Sequence, residues 1–163
     1  MIRTLQTVAI AIALGVFAAG MAPIAPASAA DMASIDKRLE LMKKIVLKNF
    51  KTVKAFVKEG KGSASDVKMA GEALAAAAPK IPALFPKGTG RPDVDEKKTR
   101  ALAKIWQDWA GFEAAAKSLG TEATKLAKVA AGGDKGAIGA QFGEMGKKGC
   151  GGCHKSFRGA KVK

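Results

Sequence analysis

Cys150, Cys153 and His154 stand within five consecutive positions near the C-terminus of this 163-residue chain, and they are its only two cysteines and its only histidine. Two thiols about one helical turn apart, followed at once by an imidazole, form the pattern that covalent attachment of a c-type haem needs. Each thiol supplies one thioether to a vinyl group of the ring, and the adjacent imidazole falls beneath the iron. Counting makes His154 the proximal iron ligand, since the chain holds no other imidazole. The expected cofactor is one covalently bound haem c, with its iron, per chain.

Three other chemistries use such residues. A thioredoxin-type C-x-x-C site belongs in a βαβ setting, and no β-rich run occurs here. A structural zinc site takes four ligands, and Cys150, Cys153 and His154 make three. A disulfide across so short a loop would constrain little of the unfolded chain.

The first thirty residues agree with haem attachment outside the cytoplasm. Arg3 is a basic n-region, Val8 to Ala22 an apolar h-region, and Ala27-Ser28-Ala29 a small-residue cleavage site. Gly15, Gly20, Pro23 and Pro26 interrupt the run, which falls short of the roughly 20 apolar residues of a membrane span. Residues 1–30 are therefore expected to be a signal peptide cleaved after Ala29 or Ala30, leaving a periplasmic domain over 31–163.

The elements that must position the motif are helical. Ala, Lys and Gly dominate the composition, and tyrosine is absent. Ile35, Leu39, Met42, Val46, Phe50, Val53 and Val57 recur at helical spacing and predict a first helix to Glu59, closed by Gly60 and Gly62. Ser63 to Asp66 reads as the start of a second helix that ends at Pro79. Four prolines and two glycines from Pro79 to Pro92 predict a long surface crossover. A third helix is expected from Asp95 or Glu96 to Ala131. Gly132-Gly133-Asp134 closes it and caps a fourth, which carries the haem motif. That fourth helix holds seven glycines between Gly136 and Gly152, each costing about 0.5–1 kcal/mol relative to alanine. The predicted fold is all-α, an antiparallel four-helix bundle with covalent haem on its C-terminal helix.

This order of features resembles the class II cytochromes c, the cytochrome c prime and cytochrome c-556 family. The resemblance is carried by Arg38-x-x-x-Met42-Lys43, Leu84-Phe85-Pro86, Lys104-Ile105-Trp106 with Phe112, and Cys150-x-x-Cys153-His154-x-x-Phe157-Arg158. It implies that the residue four positions after Arg38 faces the distal side of the haem. Met stands there in the low-spin cytochrome c-556 type, so the resemblance makes Met42 the expected sixth iron ligand; Met69 is the next candidate, and Met145, on the haem-bearing helix itself, has poor geometry for the distal face. It also places Arg38 near a haem propionate. Arg158 is a second charge-balancing candidate, and Trp106 a candidate for packing on the ring. Solvated arginines and core-filling Met and Trp side chains are the competing readings.

His/Met ligation fills the site where a gas would bind and raises the reduction potential. The expected function is thus single-electron transfer between redox partners, with no catalytic residues and no enzymatic activity. The alternative is a five-coordinate, cytochrome c prime-like haem protein that binds NO or CO. The formal net charge is +14. It favours an acidic redox partner or peripheral contact with a membrane surface. Nucleic acid is not an expected partner in the periplasm, and a homodimer is implied by the family resemblance alone.

Overall fold

Alternation between tight and wide helical turns shapes the bundle. The computed structural model describes residues 29–162, so the expected signal segment lies outside the described residues except for its last two positions. The first rod comprises α1 (Ala29–Glu40), a wide π-helical stretch Leu41–Val46, α2 (Leu47–Lys54) and a second wide stretch Ala55–Glu59. Its backbone stays right-handed throughout and stops at Gly60, whose φ of 68° is a left-handed value that glycine adopts without steric penalty.

The second rod, α3 (Ala64–Ala77), starts where its capping chemistry predicts. Ser63 Oγ accepts from the Asp66 amide at 3.1 Å, and Asp66 Oδ2 accepts from the Ser63 amide at 2.8 Å. This reciprocal pair satisfies two donors that the helix start would otherwise leave without partners. Pro79 and Pro82 then break the rod into short 3₁₀ turns, Ala78–Lys80 and Pro82–Leu84.

The crossover departs from the expectation in extent and burial. Asp95 and Glu96 do not begin a helix; the chain turns through this region and becomes helical only at α4 (Lys104–Gln107). The physical reason is local: the Asp95 side chain accepts from the Lys97 amide at 2.8 Å, while its carbonyl receives the amides of Lys98 and Thr99. That is an Asx turn, which competes with helix propagation. Nor is the segment confined to the surface, since Ile81, Val94, Thr89 and Thr99 are buried.

Asp108 interrupts the third rod with φ −130° and ψ 61°, and its carboxylate accepts from the Gly111 amide at 3.0 Å to start α5 (Trp109–Ala131). Gly120 leaves α5 unbroken. The fourth rod begins at α6 (Lys135–Glu144), where Asp134 Oδ1 accepts from the Ala137 amide at 2.9 Å. It continues through a wide stretch Met145–Gly151 into α7 (Gly152–Phe157).

The rods form the antiparallel four-helix bundle, with α3 against α5 as its broadest contact. Val53, Leu74, Phe112, Leu126, Ile138 and Met145 are at most 1% exposed and draw on all four rods. Burial of each large apolar side chain contributes about 1.5–3 kcal/mol relative to exposure, which outweighs the weak intrinsic helicity of the glycine-rich fourth rod.

Candidate functional site

Cys150 is the penultimate residue of the wide stretch of the fourth rod, and Cys153 and His154 lie in the first turn of α7. The attachment pattern therefore straddles a change of helical pitch. Gly149, just before it, packs on the third rod: a Cβ there would lie 3.0 Å from the Leu119 Cα. Its missing side chain lets the fourth rod approach closely enough to present Cys150.

Beyond His154, the chain is held by main-chain bonds to the end of the crossover. The Leu102 amide donates to the Phe157 carbonyl at 3.1 Å, and the Gly159 amide to the Arg100 carbonyl at 2.8 Å. Arg100 Nε returns a bond to the Gly159 carbonyl at 2.8 Å, and an antiparallel bridge pairs Ala101 with Arg158. Phe157 is buried and meets Phe112 edge-on with ring centroids 5.4 Å apart. The helical turn that carries His154 is thus anchored by a buried aromatic ring three residues on.

The electrostatics suit an iron ligand. Burial, with Arg158 and Arg100 adding to it, holds the His154 imidazole down to about 4, so the ring is neutral and has a free lone pair at neutral pH. Both thiols are uncombined and half-buried. Burial raises the Cys150 thiol, and burial together with Cys150 pushes Cys153 up to about 11, against a smaller opposing pull from Arg158. Among the described residues no group of three or more His, Cys, Asp or Glu side chains gathers as a metal-binding cluster. Two separate thiols and one neutral imidazole that do not converge on a point fit a wide ring attached at its edge and ligated from beneath. They fit haem c.

Arg38 is not a solvated surface arginine. It is 4% exposed, and Nη1 donates to Thr89 Oγ1 at 2.9 Å while Nη2 donates to the Thr89 carbonyl at 2.6 Å and to Thr99 Oγ1. Its guanidinium carbon lies 4.6 Å from the Phe85 ring centroid, and desolvation lowers its proton affinity to about 10. These contacts tie α1 to two separate points within the crossover. Arg158 is exposed and close enough to act on His154 and Cys153. Trp106 is half-buried, and its Nε1 donates to the Phe85 carbonyl at 3.0 Å.

The methionines separate clearly. Met69 is 55% exposed on α3, and Met145 is fully buried in the core. Met42 lies in the wide stretch of the first rod, half-buried against the central cluster. The buried Arg38 network and the three wide stretches have no counterpart in the sequence pattern. Thr89 and Thr99 gave no sign of partnership, because their only signal is a contact between segments 51 and 61 residues apart.

The chain matches the family model described as Cytochrome C' over residues 33–158. It is 39% identical over 87 residues to a cytochrome c' of Rhodospirillum rubrum, a match covering 53% of this chain and 56% of that protein. The match thus spans little more than half the length of that relative. The crystal structure of cytochrome c' from Thermochromatium tepidum superposes with a TM-score of 0.69 at 31% identity, covering 83% of this chain and all of that one. A second solved cytochrome c', described as having an unusual ligand-controlled dimer dissociation, gives 0.69 at 28% identity over 82% of this chain and all of its own. Cytochromes c' carry covalently bound haem c with iron.

These likenesses overturn the expectation of a His154/Met42-ligated electron carrier of the cytochrome c-556 type. They lie with the cytochromes c' and not with the low-spin cytochrome c-556 type. The physical source of the error is Met42 itself. A methionine on the inward stripe of a helix is also a good apolar filler, and half-burial against the core is what a filler shows.

Proposed function

Since the chain belongs to the cytochrome c' family, matched over residues 33–158, we propose that His154 is the single protein ligand of its haem iron and that the protein binds NO or CO. The observation that carries this reading is the coverage of the Thermochromatium tepidum cytochrome c' over its entire length. A five-coordinate haem supplies an iron with one position open to a diatomic ligand.

The chain's own residues make that position selective. His154 binds as a neutral base, on a helical turn that Phe157 anchors to Phe112, and is kept uncharged by burial and by Arg158 and Arg100. Met42, with Leu41 and Val46 from the same wide stretch, provides an apolar wall on the first rod. Such a wall excludes water and offers no proton, which favours uncharged diatomic ligands over peroxide chemistry. The role is binding without turnover. Cleavage of residues 1–30 after Ala29 or Ala30, and residence in the periplasm, complete the proposal.

Optical spectra of the purified holoprotein test it. The expected wild type is high-spin in both oxidation states, binds CO rapidly when ferrous, and keeps its ferric spectrum in Met42→Ala. A low-spin wild type with a far-red sulfur-to-iron band that disappears in Met42→Ala would sink the reading. The same gas titration, followed by analytical ultracentrifugation, reads whether self-association changes with ligand, as described for the relative with ligand-controlled dimer dissociation.

A further inference from the structure

We propose that the outward arc of the first rod, from Lys43 to Lys58, docks the protein on an anionic phospholipid bilayer. Lys43, Lys44, Lys48, Lys51, Lys54 and Lys58 are all exposed, and no Asp or Glu occurs between Leu41 and Lys58. The ion pairs of the described residues lie elsewhere, at Lys61, Lys68, Arg91, Lys125 and Lys148. Six unneutralised charges therefore span about 22 Å of one helix at 1.5 Å per residue. Repulsion among them makes the arc costly unless something anionic covers it.

The side chains among these lysines indicate what that cover is. The exposed large apolar residues of the described chain are Leu39, Ile45, Leu47 and Met69, and three of them are on this rod. Ile45 and Leu47 stand inside the lysine array, 40% and 44% exposed. Protein interfaces are depleted in lysine and concentrate Trp, Tyr and Arg at their centres. This arc is the reverse: Tyr is absent from the chain, both Trp residues are on the third rod, and Arg38 is buried. Lysines around short aliphatic side chains match a lipid surface, where ammonium groups meet phosphates and aliphatic tips enter the headgroup layer. Among the described residues no helix is long and apolar enough to cross a membrane, so the contact is peripheral. A second copy of the chain is a poor cover, because it would bring six more lysines to the same place.

The test is co-sedimentation of the holoprotein with phosphatidylglycerol-containing vesicles and with pure phosphatidylcholine vesicles. Three proteins are compared with wild type. One carries Lys44→Gln, Lys48→Gln and Lys51→Gln. A control of identical net charge carries Lys97→Gln, Lys98→Gln and Lys128→Gln on other exposed surface. The third carries Ile45→Ser and Leu47→Ser. Wild type is expected to bind the anionic vesicles alone. The first triple variant should lose about 100-fold in affinity and the control less than about 3-fold. The serine variant should lose the binding that survives raised salt, since screening removes the charge contribution and leaves the apolar one. Haem absorbance and circular dichroism establish that each variant is folded. Equal losses in the two triple variants would reduce the effect to net charge and overturn the proposal. Binding to poly-glutamate without binding to anionic vesicles would assign the arc to an acidic protein. A dimer disrupted by the first triple variant alone would assign it to a second copy.

Discussion

Gly90 lies against the indole of Trp106 so closely that a Cβ on Gly90 would stand 2.2 Å from Trp106 Cζ3 and 2.5 Å from Cη2. The ring is thereby clamped between the crossover backbone and the bundle, with Nε1 bonded to the Phe85 carbonyl. Gly90→Ala must displace the indole or the crossover. We expect a loss of about 1–3 kcal/mol in urea unfolding, typical of overpacking, together with a shift in tryptophan emission. An unshifted spectrum and unchanged midpoint would show that this contact is looser than described.

Arg38 gives a second prediction. Its three hydrogen bonds reach Thr89 and Thr99, both within the crossover, and Phe85 covers its guanidinium. Lysine has the charge without the planar fork. Arg38→Lys should therefore leave at least one buried acceptor without its donor and cost about 1–3 kcal/mol. A double-mutant cycle with Thr99→Val should show coupling, because the two residues share one bond. Additive effects would remove the bond from the stability of the fold.

These two networks mark where reading the sequence stops. Haem chemistry was legible because Cys150, Cys153 and His154 are adjacent in the chain, and helix starts were legible because Ser63 and Asp134 cap locally. The true start of the third helix is not legible because acidic residues at Asp95 and Glu96 suit a helix N-terminus as well as a turn, and only the bonds to the Asp95 side chain and carbonyl separate the two. The wide stretches that hold Met42 and Cys150 leave no mark on a 3.6-residue pattern. Met42 shows the remaining limit: its place on the inward stripe was visible, but a thioether that binds iron and one that fills space have the same sequence signal.

Covalent attachment makes a third prediction. Cys150→Ala and Cys153→Ala should each retain one thioether, so haem remains with the polypeptide on a denaturing gel in either single variant and is lost in the double variant. The ferrous pyridine spectrum of each single variant should move toward that of a haem with one unreacted vinyl group. Full retention of haem by the double variant on the gel would contradict attachment at these two residues.

Glu122 supplies a pH prediction whose sign is set by its partners. The residue is 5% exposed, and its carboxylate accepts from Gln141 Nε2 at 2.7 Å and Lys125 Nζ at 2.9 Å. The hydrogen bonds from Lys125 and then Gln141 hold its proton affinity below the ordinary value of 4.5. In acid the unfolded chain therefore binds this proton before the folded one does. The stability from the ionised carboxylate is present above the ordinary value and disappears as pH falls through the lower folded value. Glu122→Gln should be less stable than wild type at pH 7. The gap in urea midpoint should narrow as pH falls below the ordinary carboxylate value and on through the lower folded one, as the wild-type carboxyl takes up its proton. Asp66 and Glu144 are likewise held low, by Ser63 and Lys148 respectively, and remain in both proteins, so the difference between the two curves isolates Glu122. A gap that is constant across this range would mean that the carboxylate charge does not stabilise the contact between the third and fourth rods.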